Sequence, residues 1–389
     1  MTFENNDQLK PLILDIGSSL TRFGWAGNDF PDIVAPSVYV EITDYIFTSN
    51  VVEGLEDLFV NKENVEVYLF GIDAIKYQNI LNVREFKKEK NFNIFLKFFQ
   101  HYYNQFNISP ENQFKQPIIV LTPFFTTELE KVKLQDFFFN QFNFPKLLFL
   151  SESQAIISAL QKENGVIINI GESNSYISAI FHGFTNIMAQ DVFPIAGRDL
   201  TNYFLDMILT GVGSEKKLYL DKWLAKEVKE KVSLCVLNPD GENKRIKEGL
   251  RSYNQIVKLP DGTSLNVNSE RFMLSEPLFN PGIIHVDYIG LPEAVSKMIK
   301  VWNRENWEEL LPNIILSGGS CLIPGLKERL KAELTNHFSD KLKDKINVIS
   351  VSGLENMSWI GASVLYTKNQ LLKGWIDNPS STNINNNIE

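Results

Sequence analysis

Cysteine is scarce in this 389-residue chain: Cys235 and Cys321 are the only two, each inside an apolar segment. Two isolated thiols supply neither a disulfide framework nor a metal cluster, and they predict buried free thiols in a reducing compartment. The four histidines, His101, His182, His285 and His337, are scattered and form no evident ligand set. No apolar run approaches the length of a membrane span, and the polar residues 1–10 do not read as a signal peptide. Basic blocks are missing as well. With 38 Lys and Arg against 47 Asp and Glu the net charge is −9, so direct nucleic-acid binding is not expected. Together these absences predict an intracellular, soluble protein.

The chain exceeds one ordinary core, which predicts two domains of roughly 150 to 200 residues. Its apolar content of 44% and charged content of 22% are those of a globular protein. Phe and Asn are abundant, which reads as compositional drift rather than chemistry.

One stretch organises the rest. Leu12-Ile13-Leu14-Asp15-Ile16-Gly17-Ser18-Ser19 reads as a buried strand running into a tight turn of small residues. Such a turn sets backbone N–H groups and two hydroxyls beside a carboxylate, as a phosphate carrying a divalent cation requires. Val166-Ile167-Ile168-Asn169-Ile170-Gly171-Glu172-Ser173 repeats the pattern, with Asn169 matching Asp15, Gly171 matching Gly17 and Ser173 matching Ser19. Two such units suggest a duplicated domain gripping one phosphate chain.

Between and beyond them the chain alternates strands and helices. Residues 21–25 read as a return strand ending at Ala26-Gly27-Asn28-Asp29, and 41–70 as an acidic exposed or partner-facing segment. Phe92, Phe95, Leu96 and Phe99 predict one face of an amphipathic helix over 92–106 that packs on a core. Residues 117–123 predict an apolar strand, Thr126-Thr127-Glu128 a helix start, and 147–150 a strand leading into a helix near Ser151-Glu152-Ser153-Gln154. Leu200, Tyr203, Phe204, Met207 and Ile208 form a helical stripe closing at Gly211. A further helix spans about 222–237 with Lys229-Glu230-Lys231 on its polar side. Pro292 opens another helix, and Ile314-Ile315-Leu316-Ser317-Gly318-Gly319 is a third strand ending in glycines, ahead of a helix starting at Pro324-Gly325. From about residue 377 the composition predicts a disordered tail.

These strings resemble the actin family. The resemblance rests on Asp15-Ile16-Gly17-Ser18-Ser19 with Gly24-Trp25-Ala26-Gly27-Asn28-Asp29-Phe30-Pro31 and Pro36-Ser37, on Ala196-Gly197-Arg198-Asp199-Leu200-Thr201, and on Leu316-Ser317-Gly318-Gly319 with Pro324-Gly325. Asn268-Ser269-Glu270-Arg271-Phe272, Glu276-Pro277-Leu278-Phe279 and Trp359-Ile360-Gly361 follow in order. The resemblance covers roughly residues 10–376 and is to a divergent actin-related protein. It implies the two-lobed α/β ATPase fold shared by actins, heat-shock chaperones and sugar kinases, with duplicated mixed sheets, helices on both faces and a nucleotide in the interlobe cleft. The implied division is a first lobe over 1–155 with an acidic inserted subdomain at about 38–85, and a second lobe over 156–354 with an inserted helical subdomain at about 199–280. Residues 355–376 would return to the first lobe.

By the same resemblance ATP or ADP with Mg²⁺ is the cofactor. Asp15 and, through water, Asn169 would face the metal; Gly17, Ser18, Ser19 and Arg22 would hold phosphates, as would Gly171, Glu172 and Ser173 of the second turn. Gly197 and Arg198 belong to the same set, Lys229 and Glu230 would touch base and ribose, and Gly318, Gly319 and Leu322 would line the adenosine. Gln154 matches the residue that positions the attacking water. The departures weaken hydrolysis. Asn169 stands where actins carry an aspartate, and Tyr176 stands where they carry a histidine; a phenol with a pKa near 10 is a poor base. Ile170, Glu172 and Asn174 replace small residues, and Glu355 replaces a lysine. The acidic segment and the altered tail also count against actin-like filaments.

The expected function is a nucleotide-binding cytoskeletal or complex-scaffolding subunit in the cytoplasm, nucleus not excluded, with slow or no hydrolysis. Its protein partners would be itself, actin-binding factors or a multi-subunit complex. A filament-forming actin-like ATPase is the alternative. A small-molecule kinase would need a carboxylate base, for which Asp199 or Glu152 could be proposed, and an α/β protein without nucleotide also stays open.

Overall fold

The computed structural model describes residues 9–42, 67–78, 81–89, 91–211, 220–371 and 373–382. Most of the acidic stretch expected over 41–70 therefore lies outside the described residues. The chain forms two units: residues 1–122, 126–150 and 362–389 make the first, and 123–125 with 151–361 the second.

In the first unit, β1 (Leu12–Ile16), β2 (Leu20–Trp25) and β3 (Ile33–Pro36) form an antiparallel meander. β4 (Val38–Glu41), β5 (Tyr68–Phe70) and β6 (Arg84–Glu85) make a small separate sheet. β7 (Ile118–Thr122) pairs in parallel with β1, and β8 (Lys146–Ser151) lies beyond it. Residues buried on both faces of a central strand read as an unbroken apolar run, which is how 12–14 and 118–121 are written.

α1 (Phe92–Tyr103) opens on Asn91, whose side chain accepts the Asn93 and Ile94 amides. Its buried face is Ile94, Phe95, Phe98, Phe99, Tyr102 and Tyr103, whereas Phe92 is exposed. The helix is thus rotated from the stripe expected in the sequence. A helix this rich in Phe offers two overlapping apolar faces, and contact with Phe23 on β2 selects one: its ring lies 6.2, 5.9 and 5.7 Å from those of Phe98, Phe99 and Tyr102. Each fully buried aromatic contributes about 1.5–3 kcal/mol, so the helix packs on a core as expected, although of the expected stripe only Phe95 and Phe99 are buried. α2 (Glu128–Asp136) begins at a capping box between Thr127 and Glu130.

The expected disorder after residue 377 is not what the described part of the tail shows. A strand at Ile376–Asp377 pairs antiparallel with β8, and a short helix follows at Pro379–Thr382. Asn378 explains the difference. It is buried, and its amide nitrogen donates to the carbonyls of Phe144 and Phe139 and to Asn143 Oδ1 at 3.0, 3.5 and 3.2 Å. A polar residue typical of a loop here holds the terminus on the sheet edge.

The second unit repeats this plan. β9 (Gly165–Ile170), β10 (Ser175–Phe181) and β11 (Phe184–Phe193) form an antiparallel meander, turning at His182-Gly183, both with positive φ. After the hairpin of β12 (Gln255–Lys258) and β13 (Ser264–Val267), β14 (Ile314–Ser317) pairs in parallel with β9, and β15 (Val348–Ile349) lies beyond it. The order β11-β10-β9-β14-β15 matches β3-β2-β1-β7-β8 strand for strand. α3 (Glu152–Ala159), α4 (Gly197–Gly211), α5 (Lys222–Val232), α6 (Leu291–Lys300) and α7 (Leu326–Leu334) belong to this unit. α5 ends at Val232, short of the expected 237, because Ser233 turns extended with ψ 143°.

Arg329 on α7 ties this unit together. It is buried, donates to the Val236 carbonyl at 2.6 Å, and faces Glu276 at 3.6 Å and Glu333. One Glu276 oxygen is buried without a hydrogen bond. Burial, only partly opposed by Arg329, pushes the Glu276 carboxyl up to about 7 from an ordinary 4.5. The folded state therefore binds this proton more tightly than the unfolded chain. Its contribution is fully present below pH 4.5 and is lost as pH rises through 7. Urea unfolding at pH 5 and pH 8 should show that difference shrink by about 3 kcal/mol in Glu276→Gln; an unchanged pH profile would remove the assignment.

Candidate functional site

The first turn is built from small residues because nothing else fits. Gly17 N–H donates to the Leu20 carbonyl at 3.1 Å, and a Cβ on Gly17 would lie 2.4 Å from that oxygen. The turn's carbonyls are then taken up by the protein. Ser37 Oγ donates to the Gly17 carbonyl at 2.7 Å and lies 2.8 Å from Thr21 Oγ1, while Ser37 N–H donates to the Ser19 carbonyl at 2.9 Å. Lys87 Nζ donates to the Ile16 carbonyl at 2.6 Å. With the Ile16, Gly17 and Ser19 carbonyls occupied, the turn keeps the Ser18 amide and hydroxyl, which have no partner among the described residues. An anion is the ligand that such a turn suits. Ser37 was visible only as part of a family string, and nothing in the sequence pointed to Lys87.

Asp15 and Arg22 face each other across β1 and β2. Both are buried, and Arg22 Nη1 donates to Asp15 Oδ2 at 3.3 Å. The guanidinium expected at a phosphate is therefore engaged by the carboxylate expected at a metal.

The second turn reproduces the first in its backbone. Gly171 N–H donates to the Asn174 carbonyl at 3.0 Å, and a Cβ on Gly171 would lie 2.8 Å from it. Its side chains differ. Asn169 and Tyr176 occupy the register positions of Asp15 and Arg22. The Tyr176 hydroxyl donates to Glu152 Oε2 at 3.0 Å, and Asn169 Nδ2 donates to the same oxygen at 3.4 Å. Burial first, and the Glu152 charge second, push the Tyr176 phenol well above 10, so it does not act as a base near neutral pH.

Around this turn the unit gathers several of the residues singled out in the sequence. The Gly197 and Arg198 amides donate to the Gly171 and Glu172 carbonyls, both at 2.8 Å. Glu172 pairs with Lys226 at 3.4 Å, a partner the sequence did not suggest. Asn169 Oδ1 lies against Gly318, where a Cβ would meet it at 2.4 Å. Lys229 is not on a polar face. It is buried, and its ammonium donates to the Gly197 carbonyl at 2.9 Å and Thr201 Oγ1 at 2.8 Å, which ties α5 to the first turn of α4. Desolvation lowers its pKa, opposed by Glu172 and Glu230. Glu230 points outward, Leu322 is 54% exposed, Gly319 is exposed, and Gln154 and Ser173 are half-buried.

Among the described residues no three His, Cys, Asp or Glu side chains cluster as a metal cage. Asp15 in the first unit already faces a cation, and Asn169 in the second unit is neutral, so neither turn offers a bare carboxylate to a directly ligated ion. Cys235 and Cys321 are buried, and burial pushes each thiol up to about 12, which makes both inert.

Two α/β units of one strand order, each with a glycine turn between its first two strands, define the fold class of actins, heat-shock chaperones and sugar kinases. Residues 6–379 match the Actin family model, and the chain belongs to the actin family. It is similar to a putative actin-29 of Dictyostelium discoideum, with 25% identity over 362 residues, covering 91% of this chain and 89% of that protein. Among the described residues no helix is long and apolar enough to cross a membrane.

Proposed function

We propose that this actin-family chain binds ATP or ADP with Mg²⁺ and works as a cytoskeletal or complex-scaffolding subunit with slow or no hydrolysis. The observation that carries this reading is the repeated glycine turn, closed by the same hydrogen bond in both units, with the Ile16, Gly17 and Ser19 carbonyls of the first turn committed to protein donors. Gly17, Ser18 and Ser19 take phosphate oxygens. Asp15 and Asn169 face the metal's water shell, and Gly318, Gly319 and Leu322 lie on the adenosine side. Lys229 serves by holding Gly197 in place. Bound Mg²⁺ would offset the phosphate charge. Slow hydrolysis follows from Tyr176, whose buried phenol keeps its proton.

Thermal unfolding of the full chain with and without ATP, at fixed Mg²⁺, tests the binding. Ligand at a hundred times its dissociation constant should stabilise by about 2.7 kcal/mol. Asp15→Asn should lose most of that gain relative to its own unliganded baseline. Absence of a shift, together with no nucleotide in the supernatant of the denatured protein, would sink the reading.

A filament-forming ATPase is the second reading. It is favoured by β11, at one end of its sheet, where Phe184, Ile187 and Met188 are 74%, 80% and 69% exposed. Sedimentation with ATP, Mg²⁺ and salt decides it, since a soluble protein at high concentration leaves no room for a filament.

A further inference from the structure

Most of the cations described at the two turns are already matched. Arg22 meets Asp15 across the first hairpin, and Lys226 meets Glu172 at the second turn. Lys229 is buried and donates to the Gly197 carbonyl and the Thr201 hydroxyl. Lys87 differs from all three. It is exposed, its hydrogen bond runs to a main-chain acceptor, the Ile16 carbonyl at 2.6 Å, and no carboxylate pairs with it among the described residues.

Strand register brings this lysine to the turn. Ser37, whose hydroxyl and amide hold the Gly17 and Ser19 carbonyls, is followed at once by β4, and Val38 on β4 pairs with Glu85 on β6, two residues before Lys87. The short helix Phe86–Glu89 then starts with Phe86, which is buried with its ring 4.6 Å from that of Phe98 and 5.6 Å from that of Phe95 on α1. A strand pair on one side and a buried aromatic on the other fix the backbone of Lys87, whereas its ammonium stays accessible. An ammonium has three donors, and the Ile16 carbonyl takes one.

We propose that Lys87 is a phosphate contact of the first turn and supplies the positive charge that Arg22, committed to Asp15, does not bring. Its remaining protons go to an oxygen of the nucleotide's phosphate chain, next to the Ser18 amide and hydroxyl, while its bond to Ile16 keeps it at the turn. This rests on the nucleotide reading above and deepens it. The charge that meets the polyanion sits on an accessible residue outside the hairpin instead of on the buried, paired arginine within it.

The test is ATP titration of the full chain at fixed Mg²⁺ and at low and high KCl, read as ligand-induced thermal stabilisation against each variant's own unliganded melting point. Lys87→Gln keeps an amide donor for the Ile16 carbonyl and removes the charge. Its ATP affinity should fall about tenfold at low salt, as for a lost charge-assisted hydrogen bond, while its unliganded melting point stays near wild type because the residue is exposed. Lys87→Arg should keep most of the affinity. KCl should weaken ATP binding more in wild type than in Lys87→Gln, because an exposed charge contact is screened. A residue that only braced the turn would lower the unliganded melting point and leave the salt dependence unchanged. Lys87→Gln that binds ATP as tightly as wild type overturns the proposal, and so does an equal loss in Lys87→Gln and Lys87→Arg or an unchanged salt dependence. Each of these leaves the nucleotide reading standing, whereas wild-type protein that binds no ATP, and releases no nucleotide when denatured, overturns that reading.

Discussion

Gly361→Ala is expected to destabilise the second unit severely. A Cβ on Gly361 would lie 1.7 Å from the Ala155 carbonyl oxygen and 2.3 Å from its carbon, both main-chain atoms of α3. No rotamer relieves a clash between one Cβ and a backbone, so α3 and the helix Met357–Thr367 that carries Gly361 must separate. That movement would open the packing around Trp359, Ile156 and Ile157, all buried. Overpacking in a core costs about 1–3 kcal/mol and more where only backbone can yield, as here, which is a large share of the roughly 5–15 kcal/mol that holds an ordinary domain together. The measurement is the soluble yield and the cooperative melting transition by circular dichroism. Gly319→Ala is the control: nothing lies within 4 Å of a Cβ there, and the change should stay within about 1 kcal/mol of wild type. If Gly361→Ala melts like Gly319→Ala, the close approach of these two helices is wrong.

Arg22→Ala should destabilise the first unit by about 3–5 kcal/mol, because it leaves the Asp15 carboxylate buried without its cation. Removing both charges is milder. Asp15→Asn with Arg22→Met puts a neutral pair of similar volume in the same space, and such replacements of buried ion pairs are often neutral or stabilising. The urea midpoint of the two proteins should therefore rank the double variant well above Arg22→Ala. Equal midpoints for wild type and Arg22→Ala would mean that solvent reaches Asp15 and that the pair has no bearing on stability. The ranking also matters for function, since a carboxylate already neutralised by Arg22 has less charge to offer a metal than its residue type suggests.

The duplication was legible because its causes are local. An apolar run followed by Gly and small polar residues forms a buried strand and a tight turn wherever it occurs, and both glycines are required by the carbonyl three residues ahead. The same holds for the helix start at Thr126-Thr127-Glu128, where the helix begins at Glu128. Charge placement was harder. Lys229-Glu230-Lys231 reads as a polar face, yet α5 turns Lys229 inward, where Gly197 and Thr201 accept its protons. In the α1 sequence two Phe-rich faces compete, and only packing against Phe23 selects between them. Asn378 looks like part of a solvated tail until the carbonyls that accept its amide are known.

The amino-acid sequence by itself determined the family, the paired glycine turns and the substitution of Asn169 and Tyr176 in the second, because each follows from residue identity or short-range sterics. Tertiary structure decided which charges meet. Arg22 closes on Asp15 through strand register, and Glu152 reaches Asn169 and Tyr176 only because α3 begins beside β9 and β10. The free energy of a buried charge depends on partners far away in the chain, and no local pattern carries that information.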